Sequence, residues 1–297
     1  MMGHTINMNN RKSIIMALTE LGGVGPRTFQ QLLLRLGPPE NVLSAGPEDF
    51  EDIPRLGDDG PQRILKSLDH IGEFEEQIEE YSSLGINTIT YFDDDYPELL
   101  REIGDPPPII YTRGNLQVLR NNYVAIVGTT QANQESLRLS VDLAREFVNH
   151  GVGVISGLAI GIDSAAHLSA LKNNGLTVAV LGCGFFNIYP EENTALADRI
   201  ATTGLLVSEY PPHKHVKAVR LILRNRLISA LSRAVVVAQV GNERRGELRT
   251  AQYAFKQGKP LFLADPEGIL DSETINSSNA LLIKGIEAVG EIINYMV

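Results

Sequence analysis

Residues 152–184, VGVISGLAIGIDSAAHLSALKNNGLTVAVLGCG, contain the pattern that decides the fold. Apolar and β-branched residues predict short buried strands at 152–155 and 177–181, and the stretch between them predicts a helix over 164–172. A glycine follows each strand closely. A strand, a helix and a second strand in this order are the unit from which parallel sheets are built, because parallel strands need a long crossover connection.

The same alternation continues on both sides of this unit. It predicts an α/β fold in which helices cover both faces of a doubly wound parallel sheet. Further strands are predicted at 123–127, 205–207, 234–240 and 260–264, and further helices at 141–148, 194–201, 220–231 and 250–257.

The residues before the sheet have a different character. The apolar spacing in residues 11–80 predicts short helices, which are separated by glycine- and proline-rich breaks at 22–26 and 53–57. This arrangement resembles a tandem helix-hairpin-helix, or SAM-like, module, in which a glycine turn offers backbone N–H groups to a phosphate. A small helical scaffold without DNA contact is the other interpretation, because Asp58 and Asp59 lie in the second turn and repel phosphate.

Strand-like residues begin after this helical part, at 87–92 and again at 109–111. We therefore predict a small all-helical N-terminal domain at 1–84 and the sheet domain at 85–297. About thirty residues follow the last predicted strand, too few for a further winged-helix domain at the C-terminus.

The composition is that of an ordinary globular protein, with 297 residues of which 43% are hydrophobic and 21% charged. These values argue against a disordered chain or a coiled coil, and no run reaches the roughly 18 apolar residues of a membrane span. The first residues lack the apolar segment of a secretory signal, and a single cysteine, Cys183, excludes an internal disulfide. We expect a cytoplasmic protein.

The net charge of −10 alone argues against nucleic acid as a partner, but the charge is unevenly distributed. Residues 1–115 contain 9 basic and 20 acidic residues. Residues 214–259 contain 11 basic residues and only 2 acidic ones. A solvated helix face is the simplest explanation for such a basic block; a local surface for an anionic ligand is the alternative.

Three predicted strands end in glycine-containing turns, and ligands of doubly wound sheets bind at this edge. We call them the first turn (128–130), the second loop (157–163) and the third turn (182–184). Their glycines allow a backbone to approach a phosphate, although glycine also simply closes tight turns. None has the spacing of a dinucleotide fingerprint or a P-loop, which disfavours nicotinamide enzymes and P-loop ATPases. The candidate phosphate-binding residues are Gly128, Thr129, Thr130, Gly157, Gly161, Gly182 and Gly184.

Three segments resemble the DNA-processing protein A (DprA/Smf) family: GLAIGIDSAAH at 157–167, LGCGFFNIYPEEN at 181–193 and RNRLISALS at 224–232. The resemblance spans roughly residues 85–290. It implies a Rossmann-like domain of the superfamily that also contains phosphoribohydrolases. Members bind and protect single-stranded DNA during natural transformation of competent cells, and they load the RecA recombinase for recombination. They commonly act as dimers and are not enzymes. The resemblance implies no cofactor and no metal.

The resemblance also implies a DNA pocket lined by the three glycine turns and by Arg224, Asn225 and Arg226. In this interpretation the two arginines hold phosphates, and their charge reversal abolishes binding of single strands without unfolding the protein. Arg220 and Arg249 are further candidate cations. Three aromatic residues near the third turn are candidate platforms for base stacking or, equally, core residues: Phe185, Phe186 and Tyr189.

The chain departs from the family pattern at two cations. Thr130 and Ile160 stand where the family usually has arginine. The alternative function, on the same superfamily fold with the glycine turns holding one phosphate, is a sensor for a small nucleotide or a phosphoribohydrolase-like enzyme with Glu247 and Arg249 as the catalytic pair. A third possibility is a module that retains the fold and only mediates interactions.

Two histidine patterns invite a catalytic or metal interpretation. Asp163 and His167 are one helical turn apart, and a helix cap plus a helix-face histidine is favoured over a catalytic pair. His213 and His215 flank Lys214 without a third ligand nearby, which predicts no metal site.

Overall fold

The computed structural model describes residues 8–241, 247–265 and 279–296, and the chain divides into two compact units, 1–111 and 112–297. The boundary expected between residues 84 and 85 lies inside the first unit, between a helix and a strand. Among the residues described, no helix has both the length and the apolar character needed to cross a bilayer.

The first unit is built around one central helix. Residues 14–18 of this helix are all fully buried, so it is enclosed on every side rather than on the single face that its apolar spacing suggests. Pro26, at the start of the next helix, fits there because the first turn of a helix needs no backbone donor. The elements are α1 (Met8–Glu20), α2 (Pro26–Leu36), 3₁₀ turns at Pro39–Ser44, Pro47–Phe50 and Leu68–His70, α3 (Gly60–Ser67), α4 (Ile71–Ser83), β1 (Ile86–Thr90), α5 (Glu98–Arg101) and β2 (Ile109–Gly114), which ends in the second unit.

The second unit has the alternating pattern predicted from the sequence. Its strands are β3 (Tyr123–Gly128), β4 (Gly153–Ser156), β5 (Thr177–Leu181), β6 (Leu205–Ser208), β7 (Ala234–Gln239), β8 (Leu261–Ala264) and β9 (Leu281–Ile283). Its helices are α6 (Gln134–Asn149), α7 (Ile162–Lys172), α8 (Thr194–Thr203), α9 (Ala218–Ala230), α10 (Glu247–Lys256) and α11 (Val289–Asn294), with 3₁₀ turns at Leu116–Arg120, Glu191–Asn193 and Ile286–Ala288.

Seven strands of the second unit are parallel and lie in the order β6-β5-β4-β3-β7-β8-β9. Ala125 of β3 faces Ile155 of β4 on one side and Val235 of β7 on the other. The chain therefore moves outward from β3 to β6 and then returns to the opposite side of β3. Doubly wound sheets bind ligands where the strand order reverses in this way, which here is at the carboxyl ends of β3 and β7.

Alternate residues of β3 belong to two different layers. Val124 and Ile126 join a buried cluster with α6, α7 and α11 on one face. Ala125 and Val127 are also buried but lie outside that cluster, and α9 and α10 supply the other layer. Helices on both faces explain why the strands are continuous apolar runs rather than alternating ones.

The predicted doubly wound α/β fold is confirmed, with corrections at element ends. Helix α6 starts at Gln134, earlier than the expected 141, because the Asn133 side chain accepts a hydrogen bond from the Ser136 N–H at 2.7 Å and caps it. The sheet also does not end at residue 264. A short strand, β9, adds to it, and two of its three residues are exposed, which leaves little apolar signal in the sequence.

Replacement of Phe147 by alanine tests this core. Phe147 of α6 is fully buried in the cluster with β3 and β4, and its removal should lower the free energy of unfolding by about 3–5 kcal/mol. Phe255 of α10 is 63% exposed and serves as the matched control, with an expected change below about 0.5 kcal/mol. Urea denaturation followed by circular dichroism measures both; equal loss in the two variants would contradict the assigned layer.

Candidate nucleic-acid interface

The first turn is fixed to the neighbouring strand β7. The Thr129 N–H donates to the Gln239 carbonyl at 3.1 Å, where the register of β3 against β7 shifts. A Cβ on Gly128 would lie 2.6 Å from Cγ1 of Ile162, so only glycine fits between β3 and the start of α7. Thr129 is half-buried and Thr130 is exposed. This turn therefore offers one accessible side chain on a rigid backbone.

The second loop is folded around the carboxylate of Asp163. That carboxylate accepts hydrogen bonds from the N–H groups of Gly157 at 3.0 Å and of Ala159 at 3.4 Å. Gly161 has φ +89°, and a Cβ there would lie 2.9 Å from the carbonyl oxygen of Thr129. Residue 161 must therefore be glycine for two reasons: its positive φ, and the close approach of its backbone to the Thr129 carbonyl. The loop and the first turn form one continuous surface.

Arg224 lies beneath this surface. Its side chain is buried, and Nη1 donates to the carbonyl oxygens of Gly157 at the end of β4 and Val180 in β5. Nε donates to the Asn225 side chain at 3.1 Å. A Cβ on Gly157 would lie 2.5 Å from Nη2 of the guanidinium. Arg224 therefore connects helix α9 to strand β5 and to the second loop.

The charge of Arg224 is partly balanced inside the protein. Burial raises the pKa of Asp163, while the Arg224 charge and the loop N–H groups act in the opposite direction. Burial lowers the pKa of Arg224, and Asp163 counteracts that effect. The two groups stabilise each other's charged form where neither is well solvated.

His167 has its own partner, Thr177, rather than Asp163 one helical turn away. Thr177 Oγ1 donates to the Val154 carbonyl at 2.9 Å, so it accepts from His167 Nδ1–H at 2.7 Å. Burial, followed by the charge of Arg224, lowers the pKa of His167 to about 3. The imidazole is thus a neutral structural group linking α7 to β4 and β5.

Arg226 is also internal. It forms a buried ion pair with Glu209, and its carbonyl accepts from Gln257 Nε2 at 3.0 Å. Asn225 between the two arginines is buried as well. The whole segment 224–230 is enclosed, because the second half of α9 packs against the sheet on one side and α10 on another.

This burial corrects the expectation that charge reversal at Arg224 and Arg226 leaves the fold intact. A carboxylate at Arg224 would face two carbonyl oxygens and Asp163 without solvent. A carboxylate at Arg226 would face Glu209. Removing one partner of a buried charged pair is strongly destabilising, so neither reversal separates DNA binding from folding.

The third turn is joined to the residues that follow β6. We call residues 211–217 the proline loop. The Gly184 N–H donates to the Lys214 carbonyl at 2.8 Å and the Phe186 N–H to the Pro212 carbonyl at 2.9 Å. A Cβ on Gly184 would lie 2.1 Å from the Pro211 oxygen, so the two backbones are in direct contact.

The remaining candidates are divided between core and surface. Phe185 is a core residue, whereas Phe186 and Tyr189 are about half exposed. A Cβ on Gly182 would touch Leu221 of α9. Arg220 donates from Nη1 to the His215 carbonyl at 2.6 Å and lies over the Tyr210 ring.

On α10, Arg249 is exposed and bonds Gln252 at 3.2 Å. The side chain of Glu247, its predicted catalytic partner, lies outside the described part of the chain, as do residues 242–246. Within the described ranges, no group of three or more His, Cys, Asp or Glu side chains is arranged to hold a metal ion.

The family model for DNA recombination-mediator protein A matches residues 87–296. The chain belongs to this family. Protein Smf of Synechocystis is 33% identical over 92% of the chain and 72% of its own length. The crystal structure of DprA from Streptococcus pneumoniae superposes with a TM-score of 0.80 and 27% identity over 94% of the chain and 97% of its own.

A second solved structure bears on the site. DprA from Helicobacter pylori, whose description concerns its single-stranded DNA binding mode, matches with a TM-score of 0.63 and 28% identity, over 70% of this chain and 96% of its own. These matches confirm the resemblance to the DprA/Smf family that the segments at 157–167, 181–193 and 224–232 indicate.

Sequence reasoning did not identify the buried residues that hold the glycine turns and helix α9 in place. Asp163 was assigned only a capping role, and Gln239 and the Arg226–Glu209 pair were not identified as structural. One signal was available: the residues after Arg226 are almost continuously apolar, which is typical of a helix buried on all sides.

Replacement of Arg224 by glutamine should destabilise the protein strongly. It leaves two carbonyl oxygens short of a donor and Asp163 without its counter-charge, and we expect a loss of about 3–5 kcal/mol in the free energy of unfolding. Arg138→Gln on the exposed side of α6 is the control and should change stability by less than about 0.5 kcal/mol. Urea denaturation compares them; similar stability of both variants would contradict the structural role.

His167 should make stability depend on pH. Its folded pKa of about 3 lies below the ordinary 6.5, so below pH 6.5 the unfolded chain binds a proton that the folded chain excludes. The contribution of His167 to the free energy of unfolding is fully present above pH 6.5. It falls by up to about 1.4 kcal/mol per pH unit as the pH decreases below that value. His167→Gln should show a smaller decrease between pH 7 and pH 5 in urea denaturation. Parallel decreases in both proteins would refute the assignment.

Proposed function

We propose that this protein binds single-stranded DNA without sequence preference at the carboxyl edge of β3, β4 and β5. The observation that carries the proposal is the contact between the first turn and the second loop. Gly161 lies so close to the first turn that a Cβ on it would be 2.9 Å from the Thr129 carbonyl oxygen. Two glycine turns and the start of α7 thereby form one edge at which the positive end of a helix dipole lies. Membership of the DprA family and the H. pylori relative support the choice of ligand.

The buried arginines act as scaffold in this proposal rather than as phosphate ligands. Arg224 holds the second loop in place through Gly157, and Arg226 forms an ion pair with Glu209. Cations that meet the strand are therefore side chains at the surface, such as Arg249. Binding of this kind releases counterions and weakens as salt concentration rises.

We extend the proposal to the role that the family resemblance implies. The protein would protect incoming single strands in the cytoplasm during transformation and load RecA recombinase for recombination, acting as a homodimer and as a binding protein rather than an enzyme. Support comes from the matched length: the family model covers residues 87–296, which include every glycine turn.

Thr130 is the side chain through which this proposal is tested. It is exposed on the first turn, so Thr130→Arg adds a cation at the edge and Thr130→Glu adds an anion without disturbing the core. We expect the affinity for a labelled oligothymidylate to rise and fall, respectively, on the order of tenfold at low salt. Asn149→Glu at the far end of α6 introduces the same charge away from the edge and should leave the affinity unchanged.

Fluorescence anisotropy titrations at several salt concentrations, with a duplex of equal length for comparison, measure these effects. The wild-type affinity should decrease with salt and exceed the affinity for duplex. If the wild type fails to bind single strands at low salt, or if Thr130→Glu and Asn149→Glu behave alike, the proposed edge is wrong.

A further inference from the structure

The proline loop is rich in groups that carry or acquire positive charge. Residues 211–217 read PPHKHVK and include no carboxylate. His213, His215 and Lys217 are exposed, and Lys214 is half-buried. The family resemblance assigns no function to these four side chains, and the glycine edge described above does not include them.

The backbone of this loop is held in one conformation by several hydrogen bonds. Lys214 donates its N–H to the Pro211 carbonyl at 2.9 Å and accepts from Gly184 through its own carbonyl. Asn187 Nδ2 donates to the His213 carbonyl at 2.9 Å, and Arg220 Nη1 donates to that of His215. The side chains therefore project from a fixed backbone, which reduces the entropy lost when they bind a ligand.

An exposed aromatic ring adjoins the same loop. Phe186 is 53% exposed, and its N–H donates to the Pro212 carbonyl at 2.9 Å. A large apolar ring left in solvent beside cationic groups is the combination that binds single-stranded nucleic acid, because bases stack on the ring while cations follow the phosphates. An acidic peptide would use the cations but not the ring, and a metal would need a third ligand that the described residues do not supply.

We propose that the proline loop and Phe186 form a second binding segment for the DNA strand. A base stacks on Phe186, and Lys214, Lys217 and the two histidines contact the adjacent phosphates. This inference rests on the proposed function, since it extends the path of the same strand beyond the glycine edge. It also assigns this chain a source of positive charge to replace the cations missing at Thr130 and Ile160.

His213 gives this segment a pH dependence. Partial burial, and then the charges of Lys214 and His215, keep the pKa of His213 below its ordinary value. The third turn and its continuation, residues 182–189, face the loop with no charged side chain and with only Cys183 and Tyr189 as titratable groups. Arg220, the nearest charged group from α9, is positive. A phosphate beside His213 favours its protonated form, so DNA should bind more tightly as pH decreases from 8 to about 6.

The test compares loop variants with matched controls in the anisotropy assay. Lys214→Gln with Lys217→Gln should weaken binding of oligothymidylate about tenfold at low salt and reduce the salt slope by about 1.4, as expected for two phosphate contacts on a single strand. Lys256→Gln with Lys284→Gln removes two exposed lysines elsewhere and should do neither.

Two further variants separate stacking from charge. Phe186→Ala should weaken binding at least about fivefold with an unchanged salt slope, whereas Phe255→Ala, an exposed phenylalanine of α10, should have no effect. His213→Gln should flatten the pH dependence of the affinity seen in the wild type. Circular dichroism melts check that each variant is folded.

The outcomes distinguish this inference from the proposed function. Binding by the wild type that is unaffected by the loop lysines and by Phe186 would overturn the second segment and leave the glycine edge standing. Loss of affinity in the loop variants but not in their controls supports it. Absence of single-strand binding by the wild type would overturn both.

Discussion

The buried guanidinium of Arg224 is the interaction on which the ligand edge depends. It is buried, and it donates to the carbonyl of Gly157 in the second loop and to that of Val180 in β5, while Asp163 partly balances its charge. Charge-assisted hydrogen bonds in such surroundings are strong, and an incomplete set is severely penalised. The second loop, the start of α7 and the inner half of α9 are therefore joined by one set of buried hydrogen bonds and charges.

This arrangement separates two roles of positive charge. Arginines 224 and 226 stabilise the fold from inside, and both are neutralised by carboxylates of the same unit. In the proposed function, exposed basic side chains such as Arg249 are the ones that attract the polyanion. The acidic total charge of the chain is compatible with this, because attraction over a Debye length of about 10 Å is decided by the local surface.

Much of the fold was predictable because parallel strands buried on both faces leave a simple apolar signal. The run at 177–181 matches β5 residue for residue, and the neighbouring strands differ from prediction by one or two residues. Strand β9 was missed since Leu281 and Leu282 are exposed and a three-residue strand contributes little pattern. The start of α6 was missed because a single capping side chain, not an apolar period, determines it.

The positions of the glycine turns were predictable, but the orientation of the side chains around them was not. Glycines at strand ends indicate a ligand edge in any sheet of this class, and the first turn and second loop do meet there. A sequence does not reveal that an Arg-Asn-Arg segment points inward, because arginine is mostly a surface residue and its internal partners come from distant parts of the chain. Gly157 and Val180 precede Arg224 by 67 and 44 residues.

That separation along the chain has a consequence for the order of folding during synthesis. The strand β4, the second loop and helix α7 leave the ribosome well before α9, and until then the Gly157 and Val180 carbonyls have no guanidinium to bind. A nascent chain that has emerged only as far as α8 contains all three glycine turns but lacks Arg224, which fixes the second loop. The second loop therefore reaches its final hydrogen-bonded arrangement late, when α9 packs onto the sheet.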